Sequence, residues 1–478
     1  SRLGRKPKEG ERSPSEPFRR QKRLNGRPGR RPGKMPQGRK AAFKFFCWVN
    51  SILPGVNGLF RLSLKDRDEE NALYDSPTLM WTPVMGLVGR RTSRNKMDAD
   101  RNDPAYAANV LMLAQQTDWV DGEERTVPST QLVCDWLAKA KLRYLHKLLE
   151  QLFLRFVDMK LFANAMFCGC FVLVLDATKV EERRGSGLLG WRRNRMALEA
   201  KVITPWGWAI TVAVEPMRPW RSDSEKQDCE LGALKRMSAR LRRIFGRRGV
   251  ILMGDALYAC RPVLDICRRN GWHYVFVFKE GRSPSIFGEA QSLLDLAEGQ
   301  WGKMVRDVRK KKECVVGGVR WAKDVPFGEY KTNVVEIHQM VASDDSGAYY
   351  GQFMTDLEVN DARRALEIGT WGRHRWLIES SFKTEKREGE DGFGLEHTFC
   401  RDENASRAMH LLMQFAHNVS QVFNSGFLRT LSTGCRKVSQ GMWGKKICEA
   451  LHYYDYTATE LETVYMNHAY EDAYLLTS

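Results

Sequence analysis

No stretch of this sequence is both long and apolar enough to span a bilayer. The run Phe45–Phe60 is interrupted by Asn50, Pro54 and Gly55, and Leu161–Leu175 falls short of the ~20 residues a spanning helix needs. Lys44 and Asn50, with no small-residue cleavage site after them, also argue against a secretory leader at 41–60. Zinc-knuckle spacing is missing too. The eleven cysteines are scattered, and the closest pair, Cys168 and Cys170, flanks the single residue Gly169. Reduced thiols in a cytoplasmic protein are therefore expected.

Acids are scarce in one place. Residues 1–40 hold 15 Lys and Arg against Glu9, Glu11 and Glu16, so this tail supplies +12 of the net +18. Rich in Arg, Pro and Gly and without hydrophobic periodicity, it reads as a disordered basic arm for a polyanion. A second reading stays open: the chain starts at Ser1, and Met35 stands just before the first apolar segment, so part of the tail reads equally as translated upstream sequence. The 478-residue chain is long enough for about three units and has an ordinary 43% hydrophobic content.

Periodicity divides that remainder. Across residues 70–165 apolar positions recur every three or four residues, as in 142–157, which predicts an all-helical region. Ser129 before Thr130 and Asp103 before Pro104 are helix starts. At Phe171 the pattern becomes β-branched and closes on Asp176. Residues 196–204 and 208–215 form a hairpin around Pro205-Trp206-Gly207, and a basic helix spans 228–245. A strand at 249–255 then ends on Asp255, a helix runs through Arg269, and another strand occupies 272–279. Strand-like pieces over 280–350 suggest a mostly β insertion, and helices resume at Asp361.

Asp176 and Asp255 thus stand at carboxyl ends of strands, where open sheets build their sites. A third acid, Glu379, lies in a helix with Arg375 four residues before it and Lys386 seven after, all on one face. Two Asp and one Glu offer the oxygen donors that Mg²⁺ prefers. Carboxylates of this kind hold the paired divalent ions of phosphoryl transfer about 4 Å apart. Taken singly, each Asp reads equally as a strand cap, and the helix as a solvated charged face.

Together these residues resemble the DDE insertion-sequence transposases. The pattern Arg-x3-Glu-x6-Lys at Arg375, Glu379 and Lys386 is similar to that family's glutamate-helix signature. LeuAspAlaThr (175–178), LysGlnAspCysGlu (226–230), GlyAspAlaLeuTyrAla (254–259) and the text of 376–397 extend the likeness from about residue 80 to 425. The resemblance implies metal ligation by Asp176, Asp255 and Glu379, with two Mg²⁺ or Mn²⁺ ions, and DNA contacts by Arg375 and Lys386. It also implies partners in the form of mobile-element ends and target DNA, a homodimer or higher in the end complex, and action at the nucleoid of the cytoplasm. Where the family has a Tyr three residues before the Arg, this chain has Gly372 beside Trp371. It also lacks a Cys/His cluster in 179–195, which argues against zinc there.

The expected fold is α/β. A ribonuclease-H-like catalytic domain (166–280 and 351–430) is split by a β-rich insertion (281–350). It is preceded by the basic tail (1–40) and a helical region that could bind DNA ends (41–165), and followed by a helical segment (431–478). Weaker candidates are Glu199 and Lys201 on one strand face, and His397. The basic cluster Lys235, Arg236, Arg240, Arg242, Arg243, Arg247 and Arg248 reads either as a DNA-backbone contact or as a solvated helix face. Two alternatives share the sequence evidence: a ribonuclease-H-like nuclease without strand transfer, and a noncatalytic or repurposed DNA-binding protein.

Overall fold

The computed structural model describes residues 37–454 and 456, excluding 71, 117–124, 185–191, 219–222, 283, 297–299, 309–310, 342–343, 388–391, 397–398 and 425–438. The tail through residue 36 and His397 lie outside the described residues.

The amino-terminal part is helical: α1 (Gln37–Ile52), α2 (Val56–Ser63), α3 (Ser76–Val88), α4 (Arg94–Ala99), α5 (Pro104–Ala114), α6 (Thr130–Leu137) and α7 (Leu142–Asp158). Short polar side chains start several of them, because an Asp or Ser oxygen satisfies an amide that the first turn leaves unbonded. Asp75 accepts from Thr78 N, Asp103 from Tyr106 N and Ser129 from Leu132 N. On α7 the stripe Leu145, Leu148, Leu149, Leu152, Phe153 and Phe156 is buried, as the helical period requires.

The chain then builds strands β1 (Cys170–Arg184), β2 (Arg192–Ile203) and β3 (Ala209–Pro216), helix α8 (Asp223–Phe245), β4 (Gly249–Gly254), α9 (Arg261–Asn270) and β5 (His273–Val277). After α10 (Pro284–Leu296) come β6 (Gln300–Val308), β7 (Lys311–Phe327), β8 (Tyr330–Val341) and β9 (Asp344–Thr355). Helices α11 (Ala362–Arg373), α12 (Trp376–Lys386), α13 (Glu403–Val422) and α14 (Gln440–Tyr453) follow. All nine strands form one sheet in the order β3-β2-β1-β4-β5-β9-β8-β7-β6.

Two expectations need correction. The β-rich stretch is not set apart from the sheet: β9 pairs antiparallel with β5 through Val275↔Thr355, so β6 to β9 extend the same sheet, to residue 355 rather than 350. Nor does β1 end at Asp176, since it continues to Arg184 against β2. A hydrophobic run that stops at an acid marks where one neighbouring strand leaves, and here that neighbour is β4.

Alternation along β1, β4 and β5 assigns their side chains to two cores. Leu173, Leu175, Leu252 and Phe276 join the larger core with the amino-terminal helices, α8, α9 and α13. Val172, Val174, Ile251, Met253 and Val275 face Ala365 and Ile368 of α11 and Leu377, Ile378 and Phe382 of α12. Strands covered on both faces read as unbroken apolar runs, which is why these three were plain in the sequence.

Edge strand β3 is covered by α13. Asn418 Oδ1 and Nδ2 bond the Thr211 N–H and C=O at 2.9 and 2.8 Å, and Gln421 does the same for Ala209 at 2.8 and 3.1 Å. Carboxamides thus occupy ladder positions that would otherwise be open to another strand.

Candidate active site

β1 and β4 run parallel, with Val174↔Met253 as their last paired residues. Asp176 and Asp255 each lie two residues further on, so they stand side by side at one level. They also share strand parity with Val172, Val174, Ile251 and Met253, which directs both toward the α11–α12 face. Asp255 keeps an extended backbone, and its side chain accepts from Leu257 N at 2.9 Å, capping a short turn over Ala256–Tyr258. That turn folds Tyr258 back over Gly254, where any Cβ would overlap its ring. The buried Tyr258 hydroxyl then donates to Glu230 Oε1 of α8 at 2.5 Å.

The third acid arrives on α12. Arg375 immediately precedes this helix, and Glu379 lies in its first turn. The Arg375 guanidinium reaches Glu379 Oε1 at 2.5 Å and Asp176 Oδ2 at 3.9 Å, tying the strand end to the helix. The second cation of the signature points elsewhere: Lys386 Nζ pairs with Glu396 at 3.2 Å.

Asp176 feels this crowding. Burial pushes its carboxyl up to about 7; Arg375 opposes the shift, and Glu230 and Asp255 add to it. Asp176 is 27% exposed and Glu379 45%, so the cluster opens to solvent. Its donors are all oxygens, a set that fits a hard divalent cation and suits neither zinc nor copper as well.

Acids at adjacent parallel strand ends, met by a glutamate helix, are the arrangement expected of enzymes that act on phosphodiesters. Residues 227–419 match the transposase DDE domain family. Over that span the chain is similar to transposase DDE domains. This is a DNA-acting family that generally uses divalent metals, and its ribonuclease-H-like fold agrees with the mixed sheet and its helical layers. No curated protein matches the chain. The match is narrower than the likeness read from sequence: it includes Asp255, Arg375, Glu379 and Lys386 and begins after Asp176. Strand register places Asp176 beside Asp255. Among the described residues, no helix is long and apolar enough to cross a membrane.

A buried charge cluster behind the DDE site was only partly visible in sequence. Lys201 and Glu199, fully buried on β2, meet Glu385 of α12 in a space closed by α13. Lys201 Nζ lies 2.8 Å from Glu199 and also bonds Glu385, Ser381 (3.1 Å) and Gln414 (3.3 Å). His410 approaches Glu199 at 2.8 Å and His417 approaches Glu385 at 2.9 Å. Burial would raise Glu385, but Lys201 and His417 outweigh it and hold the carboxyl well below the usual range. Lys201 therefore clamps the helix that carries Glu379. The signal was the pair Glu199 and Lys201, opposite charges two residues apart on one face of β2.

Other candidates resolve similarly. On α8, Arg236 and Arg240 bind Glu215, Arg243 binds Glu150, and Arg242 reaches Arg269 O and Asn270, so these arginines hold the helix to its neighbours. Gly372 is buried against β9, where a Cβ would overlap the Phe353 ring, which leaves no room for the family's Tyr. Trp371 stacks on Phe167 at 5.7 Å and meets His374 edge-on, which makes it a packing residue.

Proposed function

We propose that this protein is a transposase that cuts DNA at the ends of a mobile element and joins the freed 3′ hydroxyl to target DNA. Asp176, Asp255 and Glu379 are its metal ligands. The observation that carries this reading is the Asp176–Arg375–Glu379 contact, which ties β1 to the glutamate helix, with Asp255 level with Asp176 by strand register. Two Mg²⁺ or Mn²⁺ ions held there would supply charge neutralisation at the reacting phosphate. The chain's own residues do the rest: β1 and β4 hold the aspartates level, Tyr258 and Glu230 brace the Asp255 turn, and Lys201 fixes α12.

Arg375 and Lys386 contact DNA phosphates in this proposal. Each now rests on a carboxylate that phosphate can replace. Residues 41–165 serve element-end binding, and 166–280 with 351–430 form the catalytic unit within a homodimer or larger end complex in the cytoplasm. Substitution tests the assignment. Glu379→Gln and Asp255→Asn should lose at least about a hundredfold in single-turnover cleavage of end DNA while retaining end binding, since a lost ligand disables the ion and spares phosphate contacts. Wild-type cleavage by either variant would remove that residue from the site, and cleavage without joined product would leave a nuclease.

A further inference from the structure

A cluster of metal-ligating side chains lies where α14 meets the corner between α4 and α5, on elements other than those that carry Asp176, Asp255 and Glu379. Asp100, at the end of α4, Cys448 and His452, one turn apart on α14, place one donor atom each within 4.8 Å of one another. Asp100 and Cys448 are buried, and His452 is part-buried. The spacing i, i+4 puts Cys448 and His452 on one helix face.

Several details distinguish this cluster from a chance gathering. His452 Nε2 is buried and faces Asp100 Oδ1 at 3.3 Å. The other ring nitrogen, Nδ1, is 3.2 Å from Asp103 Oδ2, the carboxylate–histidine pairing that orients metal-bound imidazoles. Tyr106 stacks on the ring at 5.1 Å and fixes its plane. Asp100 is itself oriented by Arg91, whose Nε and Nη2 donate to Oδ2 at 2.7 Å and Oδ1 at 3.1 Å. Ligating carboxylates commonly carry such outer partners. The backbone makes room: a Cβ on Gly89 would press on Cys448 Sγ, and one on Gly444 would overlap Val88 O, so both glycines let α14 dock tightly on the end of α3.

We propose that Asp100 Oδ1, Cys448 Sγ and His452 Nε2 bind a zinc-class divalent cation, with water as the fourth ligand, and that the ion ties α14 to the α4–α5 corner. Thiolate, imidazole and carboxylate form the mixed soft and borderline set that zinc takes and magnesium does not. The site is therefore chemically separate from the all-oxygen acids of the DDE domain. Cys448 and His452 lie some 350 residues along the chain from Asp100, which is why no spacing motif announces them.

The test is a Co²⁺ titration of the metal-stripped full-length chain, read by thiolate-to-cobalt charge-transfer absorption. The acid cluster has no thiol and gives no such band, so failure here is distinguishable from failure of the transposase reading. One ion per chain should bind with the band and raise the melting temperature, as should Zn²⁺. Cys448→Ser should abolish the band, and His452→Gln, which keeps the thiol, should weaken binding at least tenfold. Asp103→Asn should weaken it about 10–100-fold, the usual cost of losing an outer partner. No band in the wild-type chain, or one that persists in Cys448→Ser, overturns the proposal and leaves an ordinary ion-paired histidine. If Cys448→Ser fails to fold, the Asp103→Asn and His452→Gln titrations decide.

Discussion

Asp176 shows how burial and like charge act on one side chain. An ordinary aspartate titrates near 3.8, whereas here burial, with Glu230 and Asp255 beyond it, moves the carboxyl up to about 7. Between those values the native chain binds more protons than the unfolded one, so without divalent metal its stability should fall as pH rises from about 4 to about 7 and stay level above. Asp176→Asn removes the titrating group. In urea melts of metal-free protein it should match the wild type near pH 4 and exceed it above pH 7 by on the order of 2 kcal/mol. Equal stabilities at pH 8 would show that Arg375 compensates the charge in full. Gly372 offers a steric counterpart. Because its missing Cβ is the space Phe353 occupies, Gly372→Ala should cost about 1–3 kcal/mol through overpacking, read as a lowered melting temperature.

At the scale of elements, the glutamate helix α12 is held on two sides. Arg375 ties its start to β1, and the Lys201–Glu385 pair ties its inner face to β2. Breaking a buried pair by removing one partner leaves a desolvated charge, at a cost of about 3–5 kcal/mol. Lys201→Met strands both Glu199 and Glu385, so it should destabilise by at least that much in denaturant unfolding. Adding Glu385→Gln to Lys201→Met should recover part of the loss, because one orphaned charge goes. A double variant no more stable than the single one would place the strain at Glu199 and free α12 of the clamp. The same logic explains why the arginines of α8 are poor candidates for a DNA track: several already neutralise Glu215 and Glu150.

For the whole molecule, one sheet carries Asp176 and Asp255, and helices packed on its faces bring Arg375, Glu379 and Glu230. The basic tail through residue 36 lies outside the described residues. Removing residues 1–34 should leave cleavage on a preformed end complex unchanged and weaken DNA binding mainly at low salt, since arm contacts are screened phosphate pairings. A salt titration of end binding checks this: each lost contact should reduce the slope of log affinity against log salt by about 0.9. Lost cleavage would mean that the tail reaches the acids.

What the sequence determined by itself was local. Runs such as Phe171–Leu175 and Gly249–Gly254 could only be strands buried on both faces, Asp103 and Ser129 could only start helices well, and Arg-x3-Glu-x6-Lys named its own helix face. Tertiary structure decided which charges meet. Glu199 faces Asp176 across β1 and β2 yet bonds Lys201 and His410, Arg375 turned inward to two acids, and Glu385 became a strut between α12 and β2. Tertiary structure alone also brought Asp100 to Cys448 and His452. Periodicity reports which face of an element is apolar. It carries no record of which other element covers that face, and a carboxylate's role depends on the cation that element brings.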